Sequence, residues 1–329
     1  MIEMMMSGQK KLADVYAYFG SYSSTGKIRA IKFDSEGGKL WDRNIDVGDG
    51  FFGNYSAKEQ ALCAVEGIIY ICSNQGDVIR LTGESGAWGI MPSDGSRNVV
   101  FDVNANHSIY LANQSGVRIS NFNATSKKII ISNSQAEALT PNAIRGLPDD
   151  GFVVAYDTST DNRGVARFDS SGALIWDFLR IKSARDYYSI RGLAIVGGRV
   201  AFIDAYSVYW VDLDNGRLTG SDVRQDGLLT SISTDRENAV TTVDGYSKHK
   251  ARLYENEKNV ASLNVPVQGS LRGANIVDGK FYYCTQSEMV ILEQVGTNST
   301  KSFFLLEGLT PPGVSSQYAQ SLGLHVTLE

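Results

Sequence analysis

Residues 168–177 read FDSSGALIWD, and residues 33–42, much earlier in the chain, read FDSEGGKLWD. The two stretches share Phe, Asp, Ser, Gly, a branched aliphatic residue, Trp and Asp at identical offsets. Each predicts a β-hairpin, with a strand that ends in Phe, a polar turn whose Gly tolerates a positive φ, and a returning strand that carries Trp. The recurrence indicates one structural unit that the chain uses more than once.

Turns that precede a strongly apolar strand recur along the chain at intervals of 40 to 47 residues. These turns lie at Gly67, His107, Gly151, Gly198, Asn238 and Gly279. The segments between them contain short strands and turns and no helical periodicity. A period in the low forties, built in this way, is typical of propeller blades of four strands each.

The first unit, residues 14–45, predicts only three strands, and the end of the chain supplies a fourth. From residue 322 to residue 328, apolar residues alternate strictly with Gly323, His325 and Thr327. We expect this C-terminal strand to complete the first blade and close the ring, which removes exposed sheet edges. The sequence therefore predicts an all-β fold, a seven-bladed β-propeller of four-stranded antiparallel blades. We expect residues 13–329 to form this single domain and residues 1–12 to be an N-terminal extension.

Composition and charge disfavour several classes of partner. The formal net charge of −5 would repel a phosphate backbone, so we expect no nucleic-acid partner. The N-terminus lacks the basic region and apolar core of a signal peptide. No window approaches the roughly 20 apolar residues of a membrane span, so no membrane insertion is expected. These features favour a cytoplasmic or virion-associated protein.

The repeated unit Phe-Asp-Ser-x-Gly-x-x-Leu/Ile-Trp resembles the tryptophan-bearing repeat of the quinoprotein-like (PQQ-like/WD40-like) β-propeller superfamily. The match is clear in two blades, at Asp34, Gly37 and Trp41 and at Asp169, Gly172 and Trp176. The resemblance implies a propeller in which Trp41 and Trp176 pack between blades. Quinone-using members need calcium ligands and a capped ring that this sequence does not reveal, so no cofactor is expected.

Motifs that carry chemistry are scarce. The three His residues have no metal-ligand spacing, and the chain contains no GxSxG elbow, P-loop or CxxC pair. The sequence therefore predicts no catalytic residue and no metal site.

Three Ile/Leu-Arg-Gly triplets form one candidate site. Their arginines, Arg145, Arg191 and Arg272, are spaced by about one and two blade periods and precede predicted innermost strands. Three guanidinium groups near one mouth of the central channel would suit a carboxylate or phosphate, which predicts an anion site. The alternative is structural, with each Arg bonding a carboxylate or carbonyl of a neighbouring blade.

The Gly-rich insertion at residues 47–55 is the candidate partner-binding loop. It reads VGDGFFGNY and carries Phe51, Phe52 and Tyr55 outside a clear strand. Exposed aromatic residues on a loop favour a protein contact, although such side chains also fill space between blades.

The absence of a catalytic motif favours a non-enzymatic structural or protein-interaction propeller. Its expected partners are other protein subunits of a larger assembly, with a phage tail or another virion part as one setting. The alternative is an enzyme or a small-anion-binding protein that uses an Arg-lined mouth of the central channel.

Overall fold

The computed structural model describes most of the chain. The described residues are 13–21, 27–35, 37–47, 62–73, 76–94, 99–122, 126–159, 162–180, 190–223, 229–234, 239–244, 250–264, 273–277, 280–284, 288–295, 298–305 and 319–328. Every regular element within these ranges is a β-strand. None of the described segments is a helix with the length and apolar character that a membrane span needs.

The strands of the N-terminal half alternate with short turns. They are β1 (Ala13–Ser21), β2 (Lys27–Phe33), β3 (Lys39–Asp46), β4 (Leu62–Val65), β5 (Ile68–Cys72), β6 (Val78–Thr82), β7 (Trp88–Met91), β8 (Val100–Val103), β9 (Ile109–Asn113), β10 (Gly116–Ser120), β11 (Lys127–Ile129), β12 (Leu139–Gly146), β13 (Phe152–Thr158), β14 (Arg163–Phe168) and β15 (Leu174–Arg180).

The strands of the C-terminal half continue the pattern. They are β16 (Gly192–Val196), β17 (Arg199–Ile203), β18 (Ser207–Asp212), β19 (Leu218–Val223), β20 (Leu229–Thr234), β21 (Ala239–Asp244), β22 (Lys250–Glu255), β23 (Lys258–Asn264), β24 (Gly273–Val277), β25 (Lys280–Cys284), β26 (Glu288–Val295), β27 (Asn298–Leu305) and β28 (Ala319–Leu328).

The described strands form seven antiparallel sheets of four, which are the blades of a β-propeller. Blade 1 has the order β28-β1-β2-β3, and blades 2 to 7 take the remaining strands four at a time in chain order. The first strand of each set is innermost and contacts the innermost strands of both neighbouring blades, so that β28 lies between β24 and β4. The predicted seven-bladed all-β propeller is confirmed.

The ring closes through blade 1, as predicted. Strand β28 pairs antiparallel with β1, with Val326 opposite Val15 and His325 opposite Tyr16. Blade 1 is therefore assembled from both ends of the chain, whereas every other blade is one continuous stretch of sequence. With β28 in place, blade 1 has the same number of strands as the other blades.

The hydrophobic core lies between blades rather than within one layer. In β17, Val200 and Phe202 join the cluster shared with blade 4, whereas Ala201 and Ile203 join the cluster shared with blade 6. Because successive side chains of a strand point to opposite faces, each middle strand serves two interfaces. The outermost strands are more exposed, and β19 has no buried residue.

The repeated motif forms the outer hairpin of blades 1 and 4, and the predicted turn is confirmed. The Asp34 and Asp169 amides donate to the carbonyls of Gly38 and Ala173 across the two turns. Gly37 and Gly172 have φ of 84° and 89°, a region that favours glycine because it has no Cβ.

Candidate functional site

The interface between blades 4 and 5 shows how the motif tryptophan packs. Trp176 lies over the outer turn of blade 5, where its indole Nε1 donates a hydrogen bond of 2.7 Å to the carbonyl of Leu213. Gly216 lies directly under the ring, because a Cβ there would come within 2.7 Å of Trp176. The packing role that the family resemblance implied for Trp176 is confirmed.

Arg167 fastens the same interface. It lies opposite Trp176 in the β14–β15 ladder. Its guanidinium pairs with Asp149, on the inner turn of its own blade, at 3.1 Å and with Asp214, on the outer turn of blade 5, at 3.2 Å. It also donates to the Leu213 carbonyl at 3.0 Å. The contacts of Arg167 with Asp214 and Leu213 and that of the indole with Leu213 hold the two blades to each other, while Asp149 positions the guanidinium from its own blade.

At the interface between blades 1 and 2, the motif tryptophan packs as it does between blades 4 and 5. Trp41 lies against the outer turn of blade 2, where a Cβ on Gly83 would come within 2.5 Å of its ring. Gly83 holds the turn position that Leu213 holds in blade 5, since the two turns share the same backbone hydrogen bonds. The packing role of Trp41 is therefore also confirmed. Lys32 lies opposite Trp41, in the place of Arg167.

Beside Trp41, however, the surface of the two blades forms a cleft of about 1070 Å³. Its described lining comes mainly from blades 1 and 2: Lys32, Leu40, Trp41, Arg43, Ala64, Val65, Glu66, Gly67, Ile68, Thr82, Gly83, Glu84 and Ala105. The lysine ammonium lies 5.3 Å from the centre of the Tyr16 ring. This volume is at the upper end of the roughly 300–1,000 Å³ that ligand pockets occupy. We define this feature as the blade 1–2 cleft.

Contacts at the surface of the cleft hold its walls in place. Arg43 donates to the carbonyls of Asp42 at 3.1 Å and Glu84 at 2.8 Å, which ties blade 1 to the outer turn of blade 2. On the other side, the carboxylate of Glu66 lies 3.3 Å from His107 Nε2, whose Nδ1 is 2.9 Å from the buried Tyr70 hydroxyl. The charged side chains are thus held on the blades by defined contacts.

The last residue of the motif has a different environment in each copy. The Asp42 carboxylate accepts hydrogen bonds from Arg29 Nε at 2.8 Å, from Arg29 Nη2 at 2.6 Å and from Lys39 Nζ at 2.9 Å. The hydrogen bonds from Arg29, and then those from Lys39, lower the pKa of Asp42 to about 2, against the opposing effect of burial. In blade 4, Asp177 instead accepts hydrogen bonds from Tyr156 and from the amide and hydroxyl of Ser134.

The predicted arginines occupy different ends of their strands. Arg145 is paired with Val153 beside the turn that ends β12, whereas Arg191 directly precedes β16 and its amide donates to Ile203 at the opposite end of that blade. Because the innermost strands follow one another around the ring in the same orientation, the two arginines lie toward opposite faces. Arg272 lies outside the described residues, so the three-arginine anion site stays a prediction.

Arg191 makes a contact of the kind that the structural alternative predicts, whereas the contact of Arg145 stays within its own strand. Arg191 Nη1 donates to the carbonyl of Leu229 on blade 6 at 3.4 Å, which links neighbouring blades. Arg145 Nη1 donates to the adjacent carbonyl of Ile144 at 2.7 Å. In both cases a backbone carbonyl accepts a hydrogen bond from the guanidinium.

Register, rather than the Arg-Gly pattern, identifies the equivalent positions on the innermost strands. The second strands of four blades carry a buried Tyr at one position: Tyr16, Tyr70, Tyr110 and Tyr282. Their ladder partners on the innermost strands are His325, Cys63, Asp102 and Asn275. Cys63, Asp102 and Asn275 are buried, and Asp102 accepts hydrogen bonds from Cys63 Sγ at 3.5 Å and from the Gly146 amide at 2.9 Å. The side chains of Cys63, Asp102 and Asn275 each contact a neighbouring blade, which indicates a structural layer.

The candidate partner-binding residues Phe51, Phe52 and Tyr55 lie outside the described residues, and their role stays a prediction. Sequence reasoning did not single out Leu40, Arg43, Glu66 and Glu84 of the cleft. One signal was present, because the two motif copies diverge directly after Trp-Asp, to Arg43 in blade 1 and to Phe178 in blade 4.

Comparisons with known proteins support the fold. No protein-family model matches the sequence, and no curated protein matches it. A "putative 6-phosphogluconolactonase" from Bacteroides uniformis aligns over 97% of this chain and 100% of its own, with 13% identity and a TM-score of 0.61. A chain of the mitotic checkpoint complex aligns over 77% of this chain and 78% of its own, with 12% identity and a TM-score of 0.58.

A third similar structure is the β-propeller domain of Cps50 (Swd1) from Myceliophteria thermophila. It aligns over 75% of this chain and 85% of its own, with 9% identity and a TM-score of 0.55. At such identities the similarity concerns the propeller fold, and the functions of these proteins do not transfer with it.

Proposed function

We propose that this protein is a non-enzymatic interaction propeller that binds another protein subunit at the blade 1–2 cleft. The observation that carries the proposal is the cleft itself, because the same motif produces a fastened interface at blades 4 and 5. An apolar surface left accessible beside charged groups is typical of a protein contact site.

The exposed part of the cleft has the composition of a contact surface. Leu40 is 54% exposed and lies next to the partly buried Trp41 indole. The neighbouring charges of Arg43 and Glu66 can contribute to partner selection and association rate. The similar chain in the mitotic checkpoint complex is itself part of an assembly, which is compatible with this role by analogy of fold.

A larger assembly, with a virion as one setting, remains the expected context from the sequence alone. The alternative of an enzyme or anion-binding protein at the channel mouth receives no support from Arg145 and Arg191, which point to different faces.

The proposal is tested by purifying the protein from its source cells at native abundance and measuring the mass and identity of what accompanies it. We expect a stable complex with a different protein that survives dilution. A chain that runs alone in every fraction, or that turns over a substrate in an unbiased metabolite screen, would contradict the proposed function.

A further inference from the structure

The charges of the blade 1–2 cleft are segregated by wall. Blade 1 contributes two cationic side chains, Lys32 and Arg43, and blade 2 contributes two anionic ones, Glu66 and Glu84. The accessible apolar part of the lining is Leu40, which is 54% exposed, with the partly buried Trp41 beside it. Arg43 lies against Glu84 at the outer turn of blade 2, whereas Glu66 lies at the inner turn beside His107, so Arg43 and Glu66 mark opposite ends of the cleft.

These charges are accessible to an incoming group. The hydrogen bonds of the Arg43 guanidinium go to two backbone carbonyls, and within the described residues it forms no ion pair with a carboxylate. The Glu66 side chain is 78% exposed even though it contacts His107. Glu84 is exposed and, in the part of the chain that the structure describes, forms no ion pair. Each wall can thus accept a counter-charge.

The repeat does not impose this pattern, because blades 4 and 5 lack it at matching positions. Aligned on the motif, Arg43 corresponds to Phe178, which packs on Phe202 with ring centres 5.8 Å apart. Aligned on the inner turn, Glu66 corresponds to Gly197. Glu84 does have a counterpart, Asp214, but Asp214 pairs with Arg167. The unmatched charges, Arg43 and Glu66, are specific to the cleft.

We propose that the blade 1–2 cleft recognises a short peptide segment of a partner protein in which an apolar anchor lies between an acidic and a basic residue. The anchor packs on Leu40 and Trp41, the acidic residue faces Arg43, and the basic residue faces Glu66. Charge complementarity at the two opposite ends of the cleft fixes the direction of the peptide as well as its composition. This inference rests on the proposed function and specifies the chemistry of its partner.

Nucleic acid fits this surface poorly, because the two carboxylates of the blade 2 wall would face a phosphate backbone.

The test is selection of displayed random short peptides on the purified full-length protein and on charge-reversed variants. We expect enriched peptides to carry an apolar residue flanked by one acidic and one basic residue. Arg43→Glu should replace the selected acidic residue by a basic one, and Glu66→Lys should replace the selected basic residue by an acidic one. Because Glu66 is highly exposed, its variant will retain the fold even if Arg43→Glu unfolds the protein.

A matched pair of variants tests the apolar anchor. Leu40 and Ile175 are the bulged, exposed residues at the same position of the two motifs. Leu40→Asp should weaken binding of a selected peptide by at least about tenfold, a loss of about 1.4 kcal/mol, whereas Ile175→Asp should leave it unchanged. Equal binding by both variants, absence of any enriched charge pattern, or binding of a charged metabolite without any peptide would overturn the inference.

The outcome separates this inference from the proposed function. If a protein partner co-purifies but binds Leu40→Asp and Glu66→Lys as it binds the wild type, the cleft inference is wrong and the interaction role stands. If no partner co-purifies from source cells, the proposed function fails regardless of the peptide result.

Discussion

The blade 1–2 and blade 4–5 interfaces start from nearly the same ten residues and end as different structures. At blades 4 and 5, Arg167 joins Asp149 and Asp214, and Trp176 bonds to Leu213. At blades 1 and 2, Lys32 replaces the arginine and a cleft opens beside Trp41. The motif fixes the hairpin and the position of the indole, whereas residues outside the motif, Lys32 and Arg167 among them, decide which contacts cross the interface.

Blade 1 differs from blade 4 in a second respect, since its innermost strand comes from the other end of the chain. The inner turn that supplies Asp149 in blade 4 therefore has no hairpin counterpart in blade 1. The way the ring closes therefore also shapes the cleft.

The largest effect is expected from deleting residues 322–329. The deletion removes the part of β28 that pairs with the first half of β1, so blade 1 loses its innermost strand and the ring opens. We expect loss of a cooperative unfolding transition, measured by calorimetry and circular dichroism. Deleting residues 2–10, in the predicted N-terminal extension, is the control and should preserve the transition. An unchanged melting transition in the C-terminal truncation would show that closure does not hold blade 1.

Replacing each motif tryptophan by alanine compares the two interfaces directly. Trp176→Ala removes a buried indole and its hydrogen bond to Leu213, and should lower the free energy of unfolding by about 3–5 kcal/mol. Trp41→Ala should cost less, about 1–3 kcal/mol, because part of the ring already faces the cleft. Denaturant unfolding of both variants provides the measurement. Equal losses would mean that the cleft is not open on the side of Trp41.

The cationic residues that lie opposite the two motif tryptophans, Lys32 and Arg167, give the next comparison. Arg167→Met should reduce the free energy of unfolding by about 1–2 kcal/mol, because it removes two ion pairs and a hydrogen bond at the junction of two blades. Lys32→Met should cost about 0.5–1 kcal/mol, mainly through the contact with the Tyr16 ring. Urea unfolding of both variants at low and high salt measures the two losses of unfolding free energy. A larger loss for Lys32→Met than for Arg167→Met would contradict the contrast between the interfaces.

The smallest effect is expected for Asp42→Asn, and it should depend on pH. The pKa of Asp42 in the folded protein, about 2, is below the ordinary value of 3.8, so the folded state favours the carboxylate. The stabilisation is present above about pH 4 and is lost as the pH falls through about 2. Because the pair is partly solvated, we expect a loss of only about 0.5 kcal/mol at pH 7.

The control for this measurement is the other motif copy. Asp177→Asn changes a carboxylate whose hydrogen-bond donors, Tyr156 and Ser134, are uncharged at neutral pH. The comparison is made by urea unfolding of both variants and the wild type from pH 2 to pH 7. A difference between wild type and Asp42→Asn that stays constant over this range would contradict the role of the Arg29 pair.

Much of the fold was predictable because its signals are local. The Asp-Ser-x-Gly turn, the apolar strand after each turn and the alternation at the C-terminus each depend on a few adjacent residues. The alternation predicted a strand at 322–328, and the structure has β28 at Ala319–Leu328. Packing of Trp41 and Trp176 between blades followed from the family resemblance and is confirmed.

The arginine pattern shows where counting along the chain fails. Blade 4 has a longer inner turn, closed by a hydrogen bond from the Leu147 amide to the Gly151 carbonyl, and a bulge between Pro141 and Ala143. These irregularities shift Arg145 relative to Arg191 by several positions, although both lie in an Ile-Arg-Gly triplet. Spacing in sequence equals spacing in a ring only when turns and bulges are the same in each repeat.

The sequence by itself determined the blade, its period and the closure of the ring, because those depend on turn chemistry and on alternation within short strands. Only the tertiary structure decided that blades 1 and 2 enclose a cleft with Arg43 on one wall and Glu66 on the other. An interface between blades joins side chains about one repeat apart in sequence. Whether those side chains contact each other or border a cleft depends on the register and turn length of both blades.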